Sequence, residues 1–384
     1  MDGASIHSND PLDGDNRAVL RYATGATRNL IYENSNNKAA LVDAGGVARL
    51  VSILSEADEE LRKTVTGVLW NLSSRDNLKE KLSREALSEL TEKVLVPLCN
   101  STALNASERE IFYNTTGCLR NLSYQLYSEL PPSVRLRLEG PRRATSIKDS
   151  EAIGCFTLYS KKDTERHENL SILSEMSRQP KGADWLWHPK VVALYKLVLQ
   201  SSDSNSTGRE AAIGALQNIT AGETRWASVL SGVVLEQERM LPILLDLLDT
   251  NSEMELRPLT GLLRNLARHS SNKDHMATNV VKVLVSKLPS DGHQKTPSCE
   301  VVVNMCGALN NLVSSSSLAA RDISYFNGIP KLVGIKTSHD NSSGGYKAAR
   351  AASTVLGNMF QYNKLHKDYK LKGFSRRDFT DVTI

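Results

Sequence analysis

Gly67-Val-Leu-Trp-Asn71-Leu72 decides how this chain folds, because close copies of it return along most of the sequence. The copies are Gly25…Asn29-Leu30, Gly117…Asn121-Leu122, Gly214…Asn218-Ile219, Gly261…Asn265-Leu266 and Gly307…Asn311-Leu312, with a looser one at Thr354…Asn358-Met359. Successive asparagines lie 42, 50, 97, 47, 46 and 47 residues apart. A recurrence of this length marks a helical solenoid. Solenoids present extended surfaces and mostly bind rather than catalyse.

One whole unit is legible between Asn34 and Asn71. Asn36 and Asn37 make a turn, Lys38 to Asp43 a short helix, and Gly45-Gly46 breaks it. Val47, Leu50, Val51 and Leu54 then give the i, i+3, i+4, i+7 stripe of an amphipathic helix. Leu61, Val65, Val68, Leu69 and Leu72 mark a third, longer helix. Short, medium, long is armadillo order, and the short first helix is expected again at Asn272 to Thr278 and at Leu318 to Phe326. The fold class is therefore all-α, an armadillo-repeat right-handed superhelical solenoid.

Working outward, residues 1–16 carry no apolar period and read as a disordered leader, with the first helix running from Arg17 to Tyr32. That helix already contains a copy of the motif. The chain is thus expected to begin inside a repeat and to be a fragment of something longer. Residues 17–130 hold the N-terminal repeats. Residues 131–183 open on Pro131-Pro132 and hold ten Lys or Arg against seven Asp or Glu, which reads as a long basic insertion or flexible loop. Residues 184–362 hold the C-terminal repeats, starting at Trp185-Leu-Trp187 with a stripe of Val191, Leu194, Tyr195, Leu197 and Val198. Residues 363–384 form a cap and tail that folds over the end of the stack.

The 384 residues are 40% apolar and 23% charged, as suits a folded domain, and carry neither a spanning helix nor a cleavable signal, so an intracellular protein is expected. Five cysteines without CxxC spacing give neither a disulfide framework nor a zinc site. Cys118 and Cys306 flank repeat glycines and read as core thiols. The Asn-x-Ser/Thr sequons at Asn71, Asn121 and Asn218 arise from the repeat itself and are set aside. A formal charge of +4 is too small to indicate nucleic acid, although six Lys or Arg face one Asp between Lys364 and Arg377.

The motif glycine and asparagine are four residues apart and share a helix face. Glycine inside a helix costs about 1 kcal/mol against alanine, so its return asks for a packing reason. The asparagine has two readings. Its amide could hold the backbone of an extended peptide, or bond a neighbouring turn within the solenoid. Arg28, Trp70, Arg120 and Arg264 stand immediately before Asn29, Asn71, Asn121 and Asn265, and a row of such pairs, continued by Asn218 and Asn311, suits an acidic, extended ligand. No phosphate-binding loop, HExxH or GxSxG pattern occurs, so no enzyme, cofactor or metal is expected. Arg142-Arg143-Ala-Thr145-Ser146 places a basic pair before hydroxyls, a pattern for phosphorylation.

Gly117-Cys-Leu-Arg-Asn-Leu-Ser123, Gly67-Val-Leu-Trp-Asn-Leu-Ser-Ser74 and Gly214-Ala-Leu-Gln-Asn-Ile-Thr-Ala-Gly222 resemble the armadillo repeats of the delta-catenin and plakophilin group. So do Tyr124-Gln-Leu-Tyr-Ser-Glu-Leu-Pro131, Ile153-Gly-Cys-Phe156 and Pro180-Lys-Gly-Ala-Asp-Trp-Leu-Trp187, while Ala319-Ala-Arg-Asp322 and Gln361-Tyr-Asn-Lys-Leu-His366 are most like a plakophilin. The resemblance implies a monomeric scaffold of the desmosomal plaque, linking desmosomal cadherins (desmoglein, desmocollin) and plakoglobin to desmoplakin and keratin intermediate filaments, with cytoplasmic and nuclear pools. It also implies a cadherin-tail site at Arg28, Asn29, Trp70 and Asn71. Two departures stand out. The resemblance leads one to expect a long amino-terminal head that the 384 residues do not contain, and segments that family members keep apart are fused near Asn121, as in a splice form one repeat shorter. Two other readings are a transport adaptor of the importin type, which would want tryptophan where glycine or threonine stands, and a basic surface for nucleic acid or lipid.

Overall fold

A computed structural model describes residues 11–56, 58–101, 104–124, 132–139, 173–200 and 206–380. Among these every regular element is a helix, and the chain divides into two compact units, Met1–Pro131 with Ile172–Val198, and Pro132–Ser171 with Leu199–Ile384.

In the first unit the repeat legible in the sequence is Ser35–Asp43, Gly46–Ile53 and Glu59–Ser73. Each start has a chemical cause. The Asn34 side chain accepts from the Asn37 amide at 3.0 Å and that of Asp58 from the Leu61 amide at 3.1 Å, satisfying donors that a helix leaves open at its first turn. Ala106–Ser123 starts on a full capping box between Asn105 and Glu108. The break between the first two helices falls on Gly45, whose φ of 75° lies in the left-handed region. A Cβ on Gly46 would sit 2.5 Å from the Leu41 side chain, so that position also demands glycine.

In the second unit Ser206–Ile219, Glu253–His269, Cys299–Val313 and Ser343–Phe360 are the long helices, and each packs on the next. Asn327-Gly328 repeats the device of Gly45-Gly46: Asn327 has a φ of 63°, and a Cβ on Gly328 would meet Ile323 at 2.7 Å. No glycine falls at the equivalent point after Asn272. There the short helix expected at Asn272 to Thr278 does not stop, and Lys273–Lys287 runs as one helix. Ser317–Tyr325 is the short helix expected near Leu318.

Two further sequence expectations are corrected. The first helix is Pro11–Ile31, beginning before Arg17, since the fixed φ of Pro11 suits a first helical turn. Leu197 lies off the packed stripe and is 47% exposed, whereas Val192 and Leu199 are buried. Within the stretch ending at residue 183, Leu173 and Met176 are buried, Ser177 O meets His188 Nε2 at 3.2 Å, and Pro132–Glu139 is helical. An isolated apolar pair such as Leu173 and Met176 is too short to register as a period. Thr145 and Ser146, with most of that segment and residues 1–10, lie outside the described residues.

After Phe360 the chain turns back on the last long helix. Tyr369 and Phe379 are buried and stack at 4.7 Å, Phe379 lies 5.3 Å from Phe360, and Tyr369 Oη donates to Met359 O. Lys336 Nζ and Lys372 Nζ tie this segment down by donating to Asp378 O and Ser324 O.

Burial pushes the thiols of Cys118 and Cys306 up to about 12, while Cys299 is half-buried. Alkylation follows thiolate and access together. Iodoacetamide at mildly alkaline pH, read by peptide mass spectrometry, should therefore modify Cys299 well before Cys118 or Cys306, with all three modified in denaturant. Equal rates in the folded chain would place those thiols outside the core.

Candidate peptide-binding strip

The long third helices bring the motif residues together by a rule that recurs in both units. The residue before each asparagine crosses over the glycine of the next long helix. A Cβ added at Gly67 would lie 3.3 Å from Arg28 Cζ, and one at Gly117 would lie 2.7 Å from Trp70 Cε2. In the second unit a Cβ on Gly261 or Gly307 would strike the side chains of Gln217 or Arg264, the latter at 2.6 Å. Glycine recurs because a large side chain from the preceding repeat needs that floor. A Cβ at Gly25 has nothing within 4 Å among the described residues.

The asparagines follow a second rule. Asn121 Nδ2 donates to Ser73 Oγ at 3.1 Å, Asn265 Nδ2 to Gln217 O at 3.0 Å and Thr220 Oγ1 at 3.3 Å, and Asn311 Nδ2 to Arg264 O at 3.0 Å. Asn358 Nδ2 donates instead to Asn310 Oδ1 at 2.6 Å. Each amide thus ties its helix to an acceptor in the last two turns of the previous long helix, a backbone carbonyl or hydroxyl for Asn121, Asn265 and Asn311 and a side-chain amide for Asn358. The Ser/Thr of the sequon-like motif is that partner: Ser73 and Thr220 are buried and also donate to carbonyls one turn back, Trp70 O and Leu216 O. Of the two readings the sequence left open, the bond within the solenoid holds for Asn121, Asn265 and Asn311 through their donors. Their side chains remain half-buried.

At the start of the first unit the pattern is open. Asn29 is exposed and Asn71 half-buried, and neither amide has a hydrogen bond; nor does the guanidinium of Arg28 or the indole N–H of Trp70. Trp70 is held on its other side by Tyr113, edge to face at 6.0 Å. Arg28, Asn29, Trp70 and Asn71 therefore present hydrogen-bond donors along one strip, fixed in place by Gly67 and Gly117. Arg120 and Asn121 continue it and already have partners.

In the second unit Asn218, which has a partner, Arg264, Asn265 and Asn311 form the corresponding strip. Arg264 is half-buried with no carboxylate or hydrogen bond, and its pKa lies below the ordinary arginine value because of burial first and Arg268 second. A guanidinium so placed favours an anion beside it.

Sequence reasoning missed Gln217 and Asn310, which occupy the same position as Arg28 and Trp70. It also missed Asn114 and Asn304, three residues before Gly117 and Gly307. Asn114 Nδ2 bonds Lys63 O and Thr66 Oγ1, and Asn304 Nδ2 bonds Arg257 O and Thr260 Oγ1, a second ladder two turns earlier than the motif asparagines. That offset was readable as a second asparagine, but only in two copies. Among the described residues no group of three or more His, Cys, Asp or Glu could hold a metal, and no helix is long and apolar enough to cross a membrane.

Residues 34–74 match the family model for the armadillo/beta-catenin-like repeat. Plakophilin-3 of Bos taurus is 45% identical across 95% of this chain and 53% of its own length. The chain belongs to the plakophilin family. It spans about half the length of the curated relatives it matches. Plakophilin-2 of Mus musculus is 31% identical over a similar share, so a match to plakophilin-2 in particular is not confirmed. A designed armadillo repeat protein, 15% identical, superposes with a TM-score of 0.52 over 82% of this chain and 99% of its own, which shows the fold. The plakophilin-3 alignment runs over 421 positions but takes in 95% of the 384 residues here, about 365, so about 56 positions of the relative have no counterpart, somewhat more than one repeat.

The glycine rule predicts opposite outcomes at two positions. Gly117→Ala should cost roughly 1–3 kcal/mol in urea unfolding as Trp70 is displaced. Gly25→Ala should instead stabilise by up to about 1 kcal/mol, because the helix gains propensity and nothing is displaced. Equal losses at both would refute the seating of Trp70 on Gly117.

Proposed function

We propose that the strip of Arg28, Asn29, Trp70 and Asn71 binds an extended, carboxylate-bearing segment of a partner, and that the chain serves as a non-enzymatic scaffold of the desmosomal plaque. The observation that carries this reading is the set of unpartnered donors on the first two rungs. A guanidinium, an indole N–H and two amides ask for acceptors, and an extended peptide with acidic side chains supplies them from both backbone and side chain. Arg264, with Asn265 and Asn311, offers the same chemistry on the second unit, where the free carbonyl oxygen of the amide faces a peptide N–H.

Family membership makes desmosomal cadherin tails, desmoglein and desmocollin, the first candidates. Plakoglobin, desmoplakin and keratin filaments are the further partners of the scaffold, at the desmosome with cytoplasmic and nuclear pools. The chain works as a monomer in this role, with no cofactor.

Binding of a desmosomal cadherin tail to Asn71→Ala and Arg28→Gln tests the site. Neither side chain bonds the rest of the fold, so each variant should bind about tenfold more weakly, with melting shifts of only about 2 °C or less. Unchanged affinity in both would remove the site from these rungs, and parallel loss of affinity and stability would make the residues structural.

A further inference from the structure

The segment that closes the second unit carries a surface the peptide strip does not use. Lys364, Lys367 and Lys370 recur every third residue, and Leu371 lies four after Lys367, so all four share one face of the short helical stretch Asn363–Leu371. The opposite face is packed: Tyr369 is 1% exposed, and Leu365, His366 and Asp368 are half-buried. His366 stacks on Phe360 at 3.9 Å, and Asp368 accepts from Ser324 Oγ at 3.0 Å. Lys364, Lys367, Lys370, Arg376 and Arg377 are exposed and form no ion pair. Among the described residues of this segment the acids are already engaged, Asp368 with Ser324 and Lys372, and Asp378 with Ser375. Leu371 stands 78% exposed among these cations, and Tyr325, next to the Ser324 that anchors the segment, is 75% exposed.

We propose that this face docks on an anionic phospholipid surface, with the lysines and arginines at the headgroups and Leu371 entering the interface. Clustered cations around an outward aliphatic side chain match both components of interfacial binding. A nucleic-acid surface would pair the cations with outward aromatic rings for base stacking. Here Phe360, His366, Tyr369 and Phe379 all stack inward on one another, and the exposed Tyr325 packs edge to face on Phe326 at 5.1 Å without joining a row of outward rings. The face is rigid as well as basic, because Lys372 Nζ donates to Ser324 O at 2.6 Å and Tyr369 is locked under it.

The test is co-sedimentation of the whole chain with phosphatidylcholine vesicles with and without roughly a quarter phosphatidylserine. Binding is expected only with the anionic lipid, falling as salt rises. At about fivefold per charge, Lys364→Gln, Lys367→Gln and Lys370→Gln together should weaken it roughly 100-fold. Leu371→Ser should weaken it further and leave the salt dependence unchanged. All four side chains are exposed, so an unaltered thermal melt of the variants confirms that the fold is kept. Equal binding to both vesicles, or full binding by the triple variant through basic residues elsewhere in the chain, overturns the proposal. Loss of single-stranded RNA binding in the triple variant with vesicle binding unaffected would assign the face to nucleic acid instead.

Discussion

The structure of each unit depends on one recurring constraint: a long helix must sit close enough to its predecessor for an asparagine amide to reach a carbonyl or hydroxyl in the last two turns of that predecessor. The bond from Asn265 Nδ2 to Gln217 O and Thr220 Oγ1 shows the requirement in full. A carbonyl near the end of a helix has no partner within the helix, and a buried one without a partner costs about 1–3 kcal/mol. At Gln217 O, past the reach of the helix's own amides, the Thr220 hydroxyl and the amide of the next repeat both donate. The hydroxyl at Ser73 or Thr220 sits where both helices can use it, which is why the sequence repeats an apparent glycosylation signal that serves packing instead.

The same closeness accounts for the glycine. Where the helices approach, the side chain before the asparagine has nowhere to lie except across the next helix. A Cβ at Gly117 or Gly307 would occupy the space of Trp70 or Arg264. The two rules together hold Arg28, Trp70, Gln217 and Arg264 in fixed directions along their strips. A side chain already immobilised loses less entropy when a ligand arrives. The device that packs the repeats therefore also readies the binding surface.

Much of this was legible in the sequence. The spacing of the asparagines identified the repeat, and the stripes at Val47 to Leu54 and Leu61 to Leu72 placed its helices, because apolar period and helix burial are the same fact. The merging of Lys273–Lys287 was harder to foresee, since it follows from the lack of a residue able to adopt positive φ. The partition of the asparagines was not legible at all. Asn71 and Asn265 stand in the same motif, yet one amide is free and the other is bonded, and only the neighbouring repeat determines which. Leu173 and Met176 were missed for the opposite reason, two buried residues in a segment whose composition reads as solvated.

The bond between the Asn265 amide and Thr220 is the most direct place to test the whole account. A double-mutant cycle of Asn265→Ala and Thr220→Val, followed by urea unfolding, should show a coupling of about 0.5–1.5 kcal/mol, since the two side chains meet in one hydrogen bond across repeats. Strict additivity of the two substitutions would contradict it, and the asparagine row would then have to be explained without the contact between successive helices.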